Sequence, residues 1–175
     1  MPASDRTPVT LGIDPGTAIL GFGVIRGDTD PILVDVGAIE TDAREQMAER
    51  LLILHRETSR LIATYRPDVV AVEQLFFARN VTTAIAVGQA RGVVLLAAAQ
   101  AGVPVAEYSP SEVKFAVAGY GKAAKKQMQE MVRIILNLEH APQPDDAADA
   151  LAIALCHAQT APFAAKVADS ESGWS

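Results

Sequence analysis

Cysteine, aromatic residues and net positive charge are all scarce in this sequence, and each scarcity excludes something. Cys156 is the only cysteine in 175 residues, so no internal disulfide can form and an intracellular protein is favoured. Aromatic residues make up only 5% and hydrophobic residues 50%, which suits an α/β core of aliphatic side chains. The formal net charge of −6 argues against a generally basic nucleic-acid-binding protein, although a local basic strip remains compatible with it.

The sequence also lacks the long apolar segments of membrane and secreted proteins. No signal-peptide pattern is present at the N-terminus. The longest unbroken apolar run in the middle of the chain, 93–99, is too short to span a bilayer. We therefore expect a cytoplasmic protein without a membrane partner. We expect a flexible N-terminus over residues 1–8, one domain over 9–160 and a small, polar, disordered tail over 161–175.

The first half of the chain predicts strands followed by one helix. Short apolar runs separated by Pro and Gly turn signals predict strands over 9–14, 20–25 and 32–39, which we expect to form an antiparallel meander. Apolar residues at steps of three and four predict a helix over 43–65. The strand predicted over 69–73 follows at once, which implies a parallel crossover.

The second half is predicted to be mainly helical. The segment 81–101 is rich in Ala and Gly and carries one charged residue, Arg91, so it is either a buried central helix or part of a subunit interface. A strand over 103–108 follows, and Ser109-Pro110 opens another helix. Further helices are predicted over 123–138 and 145–159.

Two of the predicted strands end on an acidic residue. Asp14 follows the apolar run LGI, and Glu73 ends the β-branched run VVAV. An acid in such a buried position is costly unless it is paired or bound to a cation.

The last predicted helix adds three acids in its first turns. Asp146 and Asp149 are about 60° apart around the helix axis and point the same way, whereas Asp145 lies on their flank. These acids could instead cap the helix N-terminus, where the helix dipole favours negative charge, and for Asp145 both interpretations stay open.

An all-oxygen cluster of this kind selects a hard cation, either Mg²⁺ or Mn²⁺. Two such ions about 4 Å apart activate a water and stabilise a leaving oxygen, which points to phosphodiester hydrolysis. The histidines fit the site poorly: His55 lies on the polar side of its helix, His140 in a linker, and His157 about 16 Å along the last helix from Asp146. The predicted metal ligands are Asp14, Glu73, Asp146 and Asp149.

Four stretches, LGIDPGTAILGFGVI, VEQLFFARN, GQARG and DDAADALAIA, together resemble the RuvC family of Holliday-junction resolvases. The resemblance covers residues 10–157. It implies a ribonuclease H-like fold, with a five-stranded mixed sheet flanked by helices, and a homodimer formed around the 81–101 helix. It implies symmetric nicking of a four-way DNA junction with two Mg²⁺ ions per site, for which Mn²⁺ can substitute, and the branch-migration partners RuvA and RuvB. The catalytic acids implied are Asp14, Glu73, Asp146 and Asp149.

The same resemblance implies DNA contacts. Phe76 matches the family's aromatic wedge at the junction, and Lys114 and Lys125 match lysines that face DNA. Between residues 111 and 133 five basic residues stand against two acids, a local balance of +3. This basic strip is either a solvated surface or a phosphate-binding surface, and its place beside an acidic metal site favours the second. The strip consists of Lys114, Lys122, Lys125, Lys126 and Arg133.

Three other functions share features of this sequence. A ribonuclease H-like nuclease acting on RNA or on an RNA–DNA hybrid would share the same acids. A non-catalytic junction-binding module would need those acids to be structural. The DPGT turn is also similar to phosphate-binding loops of actin-like ATPases and sugar kinases, but that architecture needs two lobes and a longer chain. Residues 119–123 lack the first Gly and the final Ser or Thr of a P-loop.

Overall fold

A five-stranded sheet with helices on both faces forms the centre of the computed structural model, which describes residues 6–74 and 81–172. The strand bounds are close to those predicted. The elements in chain order are β1 (Val9–Asp14), β2 (Ile19–Arg26), β3 (Ile32–Glu40), α1 (Met47–Tyr65), β4 (Val69–Glu73), α2 (Val81–Gln100), β5 (Val105–Tyr108), α3 (Pro110–Ala118), α4 (Lys125–Ile135) and α5 (Asp145–Ser172).

The strand order is β3-β2-β1-β4-β5, with β1 at the centre. β1, β2 and β3 pair antiparallel, which confirms the predicted meander. β4 lies parallel to β1, and β5 lies parallel to β4, so the sheet is mixed as predicted. The carboxyl ends of β1, β4 and β5 therefore meet at one edge of the sheet.

The two faces of the sheet bury different helices. Leu11 and Ile13 of β1 belong to a core shared with α1 and α2, whereas the opposite face packs against α3, α4 and α5. Successive side chains of a strand alternate between faces. Gly12 and Asp14 consequently lie on the α5 side.

Glycines allow α5 to lie directly on the strands beneath it. A Cβ on Gly12 would lie 2.1 Å from the Ala150 carbonyl oxygen, and a Cβ on Gly21 would lie 2.0 Å from that of Asp146. Both distances are far below van der Waals contact, so only glycine fits. The packing fixes the position of the first two turns of α5 over β1 and β2.

Helix α2 has an apolar surface that the rest of the described chain leaves exposed. Ala90, Val94, Ala97 and Ala98 are buried, but Val81, Ile85 and Leu96 are between 52% and 69% exposed. These three side chains lie within about 60° of one another around the helix axis. By length and composition alone α2 is apolar enough to cross a membrane, but core helices of soluble proteins meet the same criteria, so this is weak evidence of a membrane span.

Predicted bounds differ from the structure at α1, α4 and α5, and at β5, which begins at Val105 rather than at residue 103. α1 begins at Met47 rather than at residue 43, because the Asp42 carboxylate accepts a hydrogen bond from the Arg44 amide and forms a turn there. α4 is shorter than the predicted 123–138. α5 continues to Ser172, so residues 161–172 are helical rather than part of a disordered tail. The sequence signal there was the small, polar composition, but this segment is also rich in alanine, the strongest helix former.

The predicted flexible N-terminus is only partly described. Residues 6–8 are attached to the domain: Arg6 pairs with Asp68, and the Pro8 carbonyl accepts a 2.9 Å hydrogen bond from the Gly27 amide. Asp68 also accepts a hydrogen bond from the Val9 amide at the start of β1. Residues 1–5 lie outside the described part of the chain.

A methyl group on either close-packed glycine should force α5 away from the sheet. We expect Gly12→Ala and Gly21→Ala each to lower the free energy of unfolding by about 1–3 kcal/mol, the usual cost of overpacking a core. Urea denaturation of the purified variants measures this change.

Gly121→Ala is the matched control, since its added Cβ would meet Ser111 at an ordinary 3.6 Å and Gly121 has no positive φ. We expect its stability to stay within about 0.5 kcal/mol of the parent protein. Equal stability of Gly12→Ala and Gly121→Ala would contradict the close-packing account.

Candidate active site

Asp14 and Glu73 lie side by side at the carboxyl ends of two parallel strands. β1 and β4 pair with Ile13 opposite Val72, and the next residue of each strand is the acid. Ile13 and Val72 point into the core shared with α1 and α2. By alternation, both carboxylates point to the face covered by α5.

Helix α5 brings two more acids over this pair. Asp146 belongs to its first turn, where the helix contacts Gly21 of β2, and Asp149 lies one turn further on. Asp14, Glu73 and Asp149 line one cavity of about 310 Å³ together with Lys114 and Lys125. Asp146 does not line this cavity, but its charge is near enough to raise the pKa of Asp14. The structure therefore brings all four predicted acids into one region.

The electrostatics of the region are strongly unfavourable to negative charge. Burial, followed by repulsion from Asp149, Glu73 and Asp146, raises the pKa of Asp14 to about 7. Burial and the charge of Asp149 raise the pKa of Glu73, and burial is also the largest cause that raises the pKa of Asp149. A bound cation would relieve both the desolvation and the repulsion.

Two of the predicted DNA-facing lysines lie at this cavity. The Lys125 ammonium is 3.1 Å from an Asp145 oxygen and 3.4 Å from an Asp149 oxygen. Lys114 lines the cavity from α3, and its charge lowers the pKa of Glu73. The cavity therefore has an acidic floor and a partly basic rim.

Asp145 lies outside the cavity and contacts α4. Its carboxylate accepts a 2.8 Å hydrogen bond from the Gln129 side chain and pairs with Lys125. These hydrogen bonds lower the pKa of Asp145, the opposite of the change at Asp14. Asp145 thus contacts side chains of α4, and its interpretation as a metal ligand stays a prediction.

The four acids do not form a closed metal site as they stand. Within residues 6–74 and 81–172, no three His, Cys, Asp or Glu side chains gather closely enough to hold an ion. The like-charged carboxylates repel one another, and the Lys125 ammonium lies 3.4 Å from an Asp149 oxygen. The all-oxygen donor set nevertheless has the chemistry that a hard divalent cation prefers, so the residues fit such an ion by type.

The other three residues of the basic strip do not line this cavity. Lys126 is exposed on α4, and Lys122 is exposed just before that helix begins. Arg133 is held by other groups: it pairs with Glu130 at 2.7 Å and donates a 3.1 Å hydrogen bond to the Leu138 carbonyl. Phe76 lies outside the described residues.

The histidines are engaged elsewhere. The His157 ring nitrogen Nδ1 and the Tyr108 hydroxyl are 2.7 Å apart, and His55 hydrogen-bonds to Gln100.

Sequence reasoning missed three residues that shape the site. Gly12 and Gly21 admit α5, and an isolated glycine inside a strand is a known signal of close backbone approach. Gln129 of α4 hydrogen-bonds to Asp145 on another helix, and no local sequence signal indicates that contact.

The sequence is similar to known proteins over most of its length. The family model described as crossover junction endodeoxyribonuclease RuvC matches residues 10–157. The chain is 61% identical over 153 residues to the crossover junction endodeoxyribonuclease RuvC of Chloroflexus aggregans, which covers 87% of this chain and 93% of the relative. It is 56% identical over 160 residues to that of Roseiflexus sp., which covers 90% and 95%.

Solved structures agree with the sequence match. Thermus thermophilus RuvC is 44% identical, with a TM-score of 0.82 over 89% of this chain and 96% of that one. The same protein in complex with Holliday junction substrate is 45% identical, with a TM-score of 0.86 over 90% and 96%. The yeast mitochondrial Holliday junction resolvase Ydc2 is 15% identical, with a TM-score of 0.61 over 87% and 80%, and supports the fold alone.

These neighbours confirm the predicted ribonuclease H-like fold. The family model matches residues 10–157, two relatives are 56% and 61% identical, and a carboxylate cavity lies at the carboxyl ends of β1 and β4. The chain therefore belongs to the RuvC family of crossover junction endodeoxyribonucleases.

Proposed function

We propose that this chain resolves four-way DNA junctions by hydrolysing phosphodiester bonds at a site formed by Asp14, Glu73, Asp146 and Asp149. The observation that carries the proposal is the convergence of acids from β1, β4 and α5 at one cavity whose rim holds Lys114 and Lys125. The family is one of metal-dependent nucleases, and a structural neighbour is bound to Holliday junction substrate.

The four acids are proposed to hold two Mg²⁺ ions, for which Mn²⁺ can substitute. When bound, such ions supply an activated water and stabilise the leaving oxygen. Asp14 is more deeply buried than Glu73 and Asp149, and this burial is the largest cause that raises its pKa. Val113, Met128 and Ile153 form an apolar wall of the same cavity.

Lys114 and Lys125 are proposed to contact the phosphates on either side of the cleaved bond. They lie at the cavity, so a phosphate that enters it meets their charges as well as the acids. Lys122, Lys126 and Arg133 would extend the contact along α4, with Arg133 limited by its bonds to Glu130 and Leu138. Phe76, three residues after Glu73 in the sequence, is proposed from family resemblance as the wedge that stacks on opened bases.

A homodimer would give the two cleavage sites that a two-fold symmetric junction requires. The exposed apolar face of α2, formed by Val81, Ile85 and Leu96, is the surface we propose for the interface. This favours the subunit-interface interpretation of the 81–101 segment over the buried-helix one. RuvA and RuvB as partners, and a cytoplasmic location, are proposed from the family alone.

Replacing Asp14 by Asn should separate cleavage from binding. A neutral amide weakens cation binding with little change of shape, so we expect paired nicks at a mobile four-way junction to fall at least about 100-fold. Junction affinity should stay within a few-fold. Gel assays with Mg²⁺ or Mn²⁺ measure both quantities.

A linear duplex and an RNA–DNA hybrid serve as control substrates. Preferential cleavage of the hybrid would support the same active site but would show that its substrate is an RNA–DNA hybrid rather than a junction. Junction binding without cleavage under every metal condition would indicate a non-catalytic binding module.

Protons and metal should compete for Asp14. Because its pKa in the folded protein is about 7 and its ordinary value is 3.8, the metal-free folded state binds more protons than the unfolded state between these values. The free energy of unfolding of the metal-free protein should therefore fall as pH rises from about 4 to 7, and Mn²⁺ affinity should rise over the same range.

Asp14→Asn should flatten this pH dependence of stability and should be more stable than the parent protein above pH 7 without metal. Thermal unfolding in EDTA between pH 5 and 8 provides the measurement. A parallel pH dependence in the two proteins would contradict the assignment to Asp14.

A charge on the apolar face of α2 should break the dimer. We expect Ile85→Asp to be monomeric by light scattering at concentrations where the parent protein is dimeric. Ile134→Asp is the matched control, since Ile134 is similarly exposed, 53% against 58%, but belongs to α4 on the other face of the sheet. Dissociation by the Ile134 variant but not by the Ile85 variant would place the interface elsewhere.

A further inference from the structure

We propose that Asp145 is a positioning residue that holds the Lys125 ammonium at the rim of the carboxylate cavity. Asp145 lies next to the proposed metal ligands in the sequence, yet its side chain contacts α4. The inference rests on the proposed function, since it is phosphate of bound DNA that the positioned ammonium would meet.

Both oxygens of the Asp145 carboxylate are engaged by the same face of α4. Oδ2 is 3.1 Å from the Lys125 ammonium, and Oδ1 accepts a 2.8 Å hydrogen bond from the Gln129 amide nitrogen. Lys125 and Gln129 are four residues apart, so they are neighbours on one side of the helix. The two contacts fix the orientation of the carboxylate, and the carboxylate in turn fixes the end of a flexible lysine.

Asp145 attracts the Lys125 ammonium away from the acids that line the cavity. The ammonium is also 3.4 Å from Asp149, which lines the cavity, whereas Asp145 does not. Sharing the charge between the two keeps the ammonium at the rim. Without Asp145, the ammonium would pair with Asp149 alone and would compete with a metal ion for that carboxylate.

The contact is poorly suited to a purely stabilising role. The side chains of Lys125 and Asp145 are 54% and 52% exposed, and ion pairs this open to solvent contribute little to folding. Holding a charge at a defined place beside a reactive site requires geometry rather than a large free energy.

A double-mutant cycle tests the proposal with two readouts. The proteins are the parent, Asp145→Ala, Lys125→Ala and the double variant. Mn²⁺ affinity is measured by calorimetry without DNA, and single-turnover cleavage of a four-way junction is measured at saturating protein. A residue that supports a site from outside its ligands typically affects affinity or rate by 10–100-fold, and we expect Asp145→Ala to weaken both by about tenfold.

In the Lys125→Ala background, the same Asp145→Ala change should alter Mn²⁺ affinity and cleavage by less than about threefold, because the group that Asp145 positions is gone. Gln129→Ala, which removes one of the two contacts to Asp145, should give a smaller loss than Asp145→Ala. Asp145→Glu, which retains the charge, should restore part of the lost Mn²⁺ affinity.

Two results would overturn the inference. Equal losses of Mn²⁺ affinity from Asp145→Ala in both backgrounds would make Asp145 a metal ligand, and unchanged affinity and rate in Asp145→Ala would leave it without a role at the site. Failure of the parent protein to cut junctions would instead refute the proposed function. The Mn²⁺ affinities of the four proteins measure the coupling between Asp145 and Lys125 even if the parent protein cuts no junctions.

Discussion

The direct packing of α5 on β1 and β2 is the contact on which the site depends. The Ala150 and Asp146 carbonyl oxygens lie where side chains on Gly12 and Gly21 would otherwise be. This approach places the first turns of α5 over the carboxyl end of β1, and thus over Asp14. Glu73 reaches the same place because β4 runs parallel to β1 in adjacent register. The parallel pair supplies two acids and the helix supplies two more.

The geometry concentrates negative charge where burial already disfavours it. Asp14 responds with a pKa raised to about 7, and Lys125 and Lys114 offset part of the charge from the rim. Such a site is poorly neutralised by the chain itself, which is the condition under which cations bind strongly. Repulsion between the buried carboxylates destabilises the metal-free folded state, and a bound cation would relieve the same repulsion.

Much of this arrangement could be predicted from the sequence because the signals are local. Turn residues and apolar runs located all five strands, and acids at strand ends marked Asp14 and Glu73. Helical spacing placed Asp146 and Asp149 on one side of α5. What the sequence could not supply was contact between distant elements. The link from Gln129 to Asp145 joins residues on two helices, and Arg133 is tied to Glu130 and Leu138 rather than left free on a basic surface.

The central claim is that acids from β1, β4 and α5 together bind a divalent cation. The most direct measurement is anomalous diffraction from crystals of the protein soaked in Mn²⁺, compared with crystals of Asp14→Asn. The account predicts anomalous peaks within coordination distance of Asp14 and Asp149, lost or weakened in the variant, with Lys125 displaced from Asp149. Peaks only at other carboxylates, or peaks unchanged in Asp14→Asn, would contradict it.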